Sequence, residues 1–382
     1  MISATLIYNP IAGRQPERRE KQIRQAAAAL GNAGIAVELA ATAGPGGACE
    51  LAAAAAQRGD ELVVVCGGDG TINEAVNGLA YSQTRLAILP GGTANIIAKE
   101  LGLPHNLLRA ARELRRWRPR VVPLGLATWF LKMAGASGEW GLAEELKVSA
   151  RYLGPFPVPR TLTPDSAPGE QRDFGLKSGA TGLRGKEDAG LKADAASEVQ
   201  HRYFLSVGGI GFDAHIVDQL KHDLKMFLGV AAYGIEALRQ VRRYRFPPFT
   251  CRADDLEFEA TFAAIQRTSR YAGWFRMAPR AHFFEPRLAA CFFQSRRWPR
   301  YFVYATALAA RLHLKLSDVT MVETERVECL PVEPGARILF ELDGELAGAL
   351  PATFEVRRDA LMLLTPEKVE SRESKVKSKD PR

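Results

Sequence analysis

Glu61-Leu-Val-Val-Val-Cys66 runs straight into Gly67-Gly-Asp-Gly-Thr-Ile-Asn73. The first segment is an unbroken apolar, β-branched run of strand length. The second puts Gly67, Gly68, Asp69 and Gly70 where the next helix must begin. A strand that passes into a helix through glycines lets the backbone approach an anion closely, with the N–H groups of the helix start aimed at it. No Gly-Lys-Ser/Thr follows, so this is not a Walker A loop. A carboxylate inside a phosphate loop repels phosphate unless a cation lies between them. Asp69 is therefore a candidate to hold Mg²⁺, directly or through water. The plainer reading is a Gly-Asp-Gly turn in which Asp69 caps a helix.

The alternation continues on both sides. Strands are expected at Thr5–Tyr8, Ala36–Ala40, Glu61–Cys66 and Arg85–Leu89, and helices at Arg18–Ala33, Gly46–Arg58, Thr71–Leu79 and Asn95–Leu101. Alternating strands and helices imply a parallel sheet covered on both faces. Two further loops follow strands: Asn9-Pro10-Ile11-Ala12-Gly13 and Pro90-Gly91-Gly92-Thr93-Ala94-Asn95. Thr93 and Asn95 offer a hydroxyl and an amide to a nucleotide. Each loop alone is an ordinary strand–helix turn. Three polar, glycine-bearing loops at strand C-termini of one parallel sheet are where open α/β sheets place ligands.

After Arg120 the texture changes. Strands are expected at Val121–Ala127, Tyr203–Val207, Leu256–Ile265, Leu288–Gln294, Asp318–Cys329, Arg337–Asp343 and Thr353–Arg357, with helices at Leu224–Val241 and Arg300–Leu314. Few helices separate the later strands, so this part reads as mainly antiparallel β. Pro155–Gln200 is rich in Gly, Pro, Ser, Asp and Lys without periodicity, and reads as a mobile insertion. The expected organisation is an α/β nucleotide-binding domain over 1–120, with 355–366 packing back on it. A mainly antiparallel β domain follows over 121–354, carrying the insertion 130–200, and a disordered charged tail over 367–382.

Composition sets the outer bounds. The chain has 382 residues, 47% hydrophobic and 25% charged, enough for two domains with ordinary cores. Its five cysteines show no C-x-x-C spacing, which argues against a structural zinc or a disulfide framework and for a reducing compartment. No basic–apolar leader opens the sequence and no run of about 18 apolar residues occurs in it, so the expected location is cytoplasmic. The net charge of +8 reads as solubility with a basic tail or as attraction to anionic phosphate. No nucleic-acid signature is present.

The three loops, in this order and form, resemble the catalytic domain of the diacylglycerol kinase and sphingosine kinase family, and look closest to the bacterial soluble lipid kinases. The likeness continues in Val207-Gly-Gly-Ile-Gly-Phe-Asp-Ala214 and Asp343-Gly344-Glu345. It covers most of the chain except 130–200 and the tail. The resemblance implies an N-terminal nucleotide-binding α/β domain, a C-terminal β-sandwich and an active site between them. It implies ATP and Mg²⁺ as cofactors and a lipid, diacylglycerol or a relative, reached at the membrane surface as a peripheral protein. A homodimer is left open. Asn9, Pro10, Gly13, Gly67, Gly68, Asp69, Gly70, Thr71, Asn73, Thr93 and Asn95 would contact ATP, with Thr42 lining the same pocket. Asp343 and Glu345, beside Asp69, would be the catalytic acids, one taking the proton of the lipid hydroxyl. Glu285 stands where the family carries an Asp that helps bind a second, structural Mg²⁺. Here Pro286 and Arg287 follow it, a departure from the family's Asp-Gly pair.

Other readings stay in view. Asp343-Gly344 is also a strong hairpin signal. The glycine loop around Asp69 is shared with NAD kinases, and the changed Glu285 segment keeps a catalytically silent lipid- or nucleotide-binding protein in play. Gly209-Ile-Gly-Phe-Asp-Ala214 fits a dinucleotide fingerprint, but no second strand ending in an acid follows it. The 224–241 helix runs into Arg239, Arg242, Arg243 and Arg245. It reads as a core helix with a solvated basic end or as a membrane-facing one.

Overall fold

The computed structural model describes residues 2–12, 18–132, 197–219, 230–271 and 275–367. Gly13, most of the expected insertion, the start of the 224–241 helix and nearly all of the charged tail lie outside the described residues.

The N-terminal half alternates as its pattern predicts: β1 (Ile2–Tyr8), α1 (Arg19–Asn32), β2 (Ile35–Ala41), α2 (Gly47–Gln57), β3 (Leu62–Gly67), α3 (Asp69–Leu79), β4 (Arg85–Pro90) and α4 (Ile96–Glu100). β1 lies between β2 and β3, and β4 follows β3, all parallel. Every residue of β3 is buried, which is why it reads as an apolar run without alternation. A short helix, α5 (Leu107–Glu113), was not expected from the sequence. Asn106 caps it, its side-chain oxygen accepting the N–H of Arg109.

The rest is strand-rich: β5 (Arg118–Lys132), β6 (Ser197–Phe204), β7 (Val207–Gly211), β8 (Phe249–Ala253), β9 (Leu256–Ala260), β10 (Phe262–Gln266), β11 (Leu288–Phe293), β12 (Val319–Thr324), β13 (Arg326–Pro331), β14 (Leu339–Leu342), β15 (Glu345–Ala349) and β16 (Ala352–Thr365). Three helices accompany them, α6 (Phe212–Gln219), α7 (Val230–Gln240) and α8 (Trp298–Ala309). One sheet of six strands, β12-β11-β10-β7-β14-β15, is antiparallel throughout. It packs on the antiparallel part of a ten-stranded sheet to form a sandwich. The fold is thus an α/β domain with a mostly parallel sheet and a C-terminal antiparallel β-sandwich.

Several expected strands divide differently. Tyr203–Val207 straddles the end of β6 and the start of β7, with Leu205 and Ser206 as the step between sheets. Leu256–Ile265 and Asp318–Cys329 are each two strands, because Thr261 and Glu325 break the ladder where the chain changes sheet. The expected insertion is narrower than 130–200: residues 130–132 of β5 pair with 197–199 of β6. β7 is flanked by two antiparallel neighbours, so Gly209–Ala214 is not the opening of a dinucleotide fold.

β16 joins the two halves. Its first residues pair with β13, and Leu363 pairs in parallel with Leu86 of β4. Its register against β5 shifts between Arg357 and Leu361, where Asp359 has φ +51°. Such an irregularity bends a strand and increases its twist. Here it carries one strand from the sandwich into the parallel sheet.

Candidate active site

The parallel registers put the ends of four strands at one edge. Tyr8 lies beside Ala41 and Cys66, and Gly67 lies beside Pro90. Asn9, Thr42, the Gly67–Gly70 loop and the Pro90–Asn95 loop therefore open on the same side. The two glycine loops touch backbone to backbone: a Cβ on Gly92 would lie 2.5 Å from the Cα of Gly68. Buried Arg19, at the start of α1, ties the loops together. Its Nη2 donates to Ala12 O (2.5 Å) and Gly91 O (2.6 Å), while Nη1 reaches Cys66 Sγ (3.8 Å).

Asp69 does cap a helix, but a neighbouring one. Its Oδ1 accepts the N–H of Ile96 (2.8 Å) at the start of α4. Burial, with the Asp343 charge adding to it, pushes the Asp69 carboxyl up to about 6, against the opposing effect of the Ile96 N–H. Asn95, in the left-handed region at φ +49°, closes its own loop by exchanging two hydrogen bonds with Gly92. Asn9 Oδ1 accepts the N–H of Ile11 (3.0 Å). Pro10 and Thr93 are exposed on the open side; Thr71 is buried under Gly67, and Thr42 is buried behind Tyr8.

The sandwich delivers the other carboxylates on the β14–β15 hairpin. Asp343 sits at its turn with φ +53°. Its carboxylate accepts N–H groups from Leu205 (2.8 Å), Ser206 (2.7 Å), Val207 (3.0 Å) and the Asn73 amide (2.8 Å). Burial raises its pKa, and those four donors oppose the rise. Glu345 reaches over the start of α3: a Cβ on Gly70 would lie 2.0 Å from Glu345 Oε1. Beneath the turn, buried Glu341 accepts the N–H of Gly344 (2.5 Å). Asp213 lies against the same backbone as Glu341, crowding Gly209. Burial pushes Asp213 up to about 6.

Asn73 has a different job from the expected ATP contact. It is fully buried. Its Nδ2 donates to Tyr203 O (2.9 Å) and to Asp343, and its Oδ1 accepts from Arg202 Nε (3.0 Å) and Nη2 (2.8 Å). It locks α3 to β6 and to the β14–β15 hairpin. Arg202, also buried, bridges Asn73 and Glu345 Oε2 (2.6 Å). Sequence reasoning missed Arg202, Arg19 and Glu74. Glu74 holds the N-terminus of α2 through the N–H groups of Gly46 (2.9 Å) and Ala48 (3.1 Å). A charged residue among Ile72, Ala75, Val76 and Leu79 was the signal that Glu74 is paired.

The structure thus brings Asp69, Asp343 and Glu345 together around the start of α3. Glu285 lies in the loop between β10 and β11, its N–H donating to His282 O (3.0 Å). Among the described residues no three His, Cys, Asp or Glu side chains converge as a metal cage.

Comparison with known proteins agrees with this arrangement. Residues 3–127 match the family described as the diacylglycerol kinase catalytic domain. Residues 206–365 match the YegS C-terminal NAD kinase beta sandwich-like domain. A protein named diacylglycerol kinase from Bacillus subtilis is 38% identical over 140 residues, covering 35% of this chain and 46% of its own. One from Staphylococcus carnosus is 29% identical over 158 residues, 40% of this chain and 51% of its own. The chain spans about half the length of these two relatives. One from Mycobacterium tuberculosis is 25% identical over 367 residues, covering 95% of this chain and 94% of its own. A crystal structure titled as a putative diacylglycerol kinase from Bacillus anthracis shares the fold, with a TM-score of 0.65 at 19% identity over 96% of each chain. With both halves matched in order, residues 3–127 carry the diacylglycerol kinase catalytic domain and residues 206–365 the YegS-type sandwich domain, the pairing of a bacterial diacylglycerol kinase-like protein.

Proposed function

We propose that the protein is a lipid kinase that transfers the γ-phosphate of ATP to a lipid hydroxyl, with diacylglycerol as the expected acceptor and phosphatidic acid as the product. One observation carries this reading: the sandwich hairpin sets Glu345 over the first turn of α3, beside the glycine loops that close the parallel sheet. Phosphoryl transfer needs little more than positioning, charge stabilisation and a carboxylate near the attacking hydroxyl.

The hydrogen bonds divide the roles. Asp343 receives four N–H donors and is fully occupied holding β6, β7 and α3 around the cleft. Glu345 is about a third exposed, and Arg202 engages its Oε2. Glu345 is therefore the better placed proton acceptor, with Arg202 orienting it and Asp343 fixing the turn that carries it. The loops at Asn9–Ala12 and Gly91–Thr93, with Pro10, Ile11 and Thr93 exposed, line the side on which a nucleotide would lie.

Mg²⁺ fits this donor set in a limited way. The ion usually takes one or two carboxylates and completes its shell with substrate phosphates and water. Asp69 and Glu345, on either side of the start of α3, supply that number. When bound, the ion would neutralise charge on the phosphates. No helix among the described residues is long and apolar enough to cross a membrane. In this reading the acceptor is a lipid met at the membrane surface.

Labelled ATP offered with diacylglycerol, a sphingoid base, ceramide and NAD, the lipids in detergent micelles, tests the reading. Label in diacylglycerol is expected. Label in NAD alone would overturn the substrate class. Nucleotide binding without transfer to any acceptor would favour a silent binding protein.

A further inference from the structure

α8 has an outer face that a water-exposed helix does not ordinarily carry. Tyr301, Tyr304 and Leu308 point into the core under the six-stranded sheet. The opposite side displays Trp298 (39% exposed), Phe302 (37%) and Val303 (40%), then alanines and one threonine; the helix's one charged residue, Arg300, is paired with Asp318. A surface helix normally turns charged or polar residues outward, and an apolar outer face implies something that covers it. The rings of Trp298 and Phe302 touch edge to face at 5.9 Å, so they form one protruding patch. Leu312 and Leu314, 47% and 41% exposed, extend it beyond the helix end.

The rim of this patch is cationic. The guanidinium of Arg242, just past α7, lies 5.0 Å from the Trp298 ring centroid. Arg243, next to Arg242 in sequence, Arg297, next to Trp298, and Arg311 and Lys315, which flank Leu312 and Leu314, are all exposed. Two nearby acids are already paired within the protein, Asp318 with Arg300 (2.7 Å) and Glu259 with Arg296 (2.9 Å). Aromatic and aliphatic groups that protrude from a ring of arginine and lysine match an anionic bilayer surface, where rings enter the headgroup boundary and cations meet lipid phosphates. A second copy of this chain is a poorer occupant, because pairing the patch with itself brings two cationic rims together.

We propose that the outer face of α8, with the basic end of α7 beside it, is the surface by which the protein docks on anionic membranes. It extends the lipid-kinase reading by naming the membrane face, and it gives the arginines that follow α7 a place through Arg242, which acts as part of the α8 rim. α6, α7 and α8 share one core. Phe212, at the start of α6, packs on Tyr301 of α8 (5.5 Å between ring centroids), and the next residue, Asp213, lies under the catalytic hairpin. Docking through α8 thus sets the bilayer on the helical side of the sandwich.

Co-sedimentation of the full chain with phosphatidylcholine vesicles, with and without phosphatidylglycerol, tests this without ATP or any substrate lipid. Wild type is expected to bind the anionic vesicles and to be released by salt. Trp298→Asp/Phe302→Asp is expected to lose about ten-fold or more of that partitioning. Leu256→Glu, which charges an even more exposed residue on the other sheet, is expected to bind like wild type. Far-UV circular dichroism and the melting midpoint check that each variant is folded. Should the double variant misfold, tryptophan quenching by brominated acyl chains in wild type, set against Trp298→Phe, reports the same insertion. Wild-type binding by the folded double variant, or quenching unchanged in Trp298→Phe, overturns the proposal. So does a dimer that the double variant splits, which would assign the face to self-association. The micelle assay of transfer is independent, so a failed surface and a failed kinase reading are distinguishable.

Discussion

Asp69 is a helix cap to which the proposed reaction gives a second use. Its Oδ1 holds the first N–H of α4, and burial lifts its carboxyl to about 6. Asp69→Asn keeps an acceptor for Ile96 and removes the charge. Transfer is expected to fall at least 100-fold while the melting midpoint at pH 8 stays the same or rises, as measured by steady-state assay and thermal unfolding. An active Asn variant would reduce Asp69 to a cap. The sign of its pH effect follows from the raised value. Between the ordinary carboxylate range and about 6, the folded protein binds more protons than the unfolded chain. This group's contribution to stability therefore declines as pH rises through that window. Activity that needs the carboxylate runs the other way and is expected to fall as pH drops through about 6.

Arg202 carries a comparable burden by packing. It donates to Asn73 and Glu345 from a buried position. Arg202→Met fills a similar volume but leaves the Asn73 carbonyl oxygen without its charged donor. A loss of about 2–3 kcal/mol in urea unfolding is expected, together with reduced turnover. Unchanged stability would mean that Asn73 finds another donor and that the α3–β6 seam does not depend on this pair.

At the scale of elements, the decisive contact is between the start of α3 and the β14–β15 hairpin. Gly70 lies within α3, so alanine there favours the helix. Its Cβ would occupy the place of Glu345 Oε1, the mobile end of a side chain. Gly70→Ala is therefore expected to fold with unchanged or slightly higher stability while kcat drops on the order of 100-fold. Full activity in this variant, measured with saturating substrates, would remove Glu345 from the chemistry. The same reasoning separates this glycine from Gly92, where a Cβ would meet backbone rather than a movable group.

At the scale of the whole molecule, β16 makes the two halves one cooperative body. It pairs with β13, β5 and β4 in turn, and Asn73 and Arg202 cross between the same halves near the site. Circular dichroism and tryptophan fluorescence are expected to report a single, coincident urea transition. Two separated transitions would show that the α/β layer stands without its last strand.

The N-terminal half was readable because its order is local. An apolar run, a glycine loop and an amphipathic helix each declare themselves within about ten residues, and the parallel sheet follows from their alternation. The Asp69 loop, the loops at Asn9 and Thr93 and the Asp343–Glu345 turn were all visible as strings of residue types. Their burial was not, because it depends on partners far away in sequence. Asn73 has the type of a ligand contact, and only its packing against Tyr203 and Asp343, 130 and 270 residues away, turns it inward. Arg19 and Arg202 look like surface cations until loops and hairpin close over them. The strands that change sheet at Leu205–Ser206, Thr261 and Glu325 were blurred for the same reason: apolar patterning marks a buried strand but not the sheet that holds it. By itself the sequence determined which chemistry the chain carries and the alternation that displays it. Tertiary structure alone decided which carboxylate is held rigid and which is left within reach, because that depends on hydrogen bonds between segments that only the folded sandwich brings together.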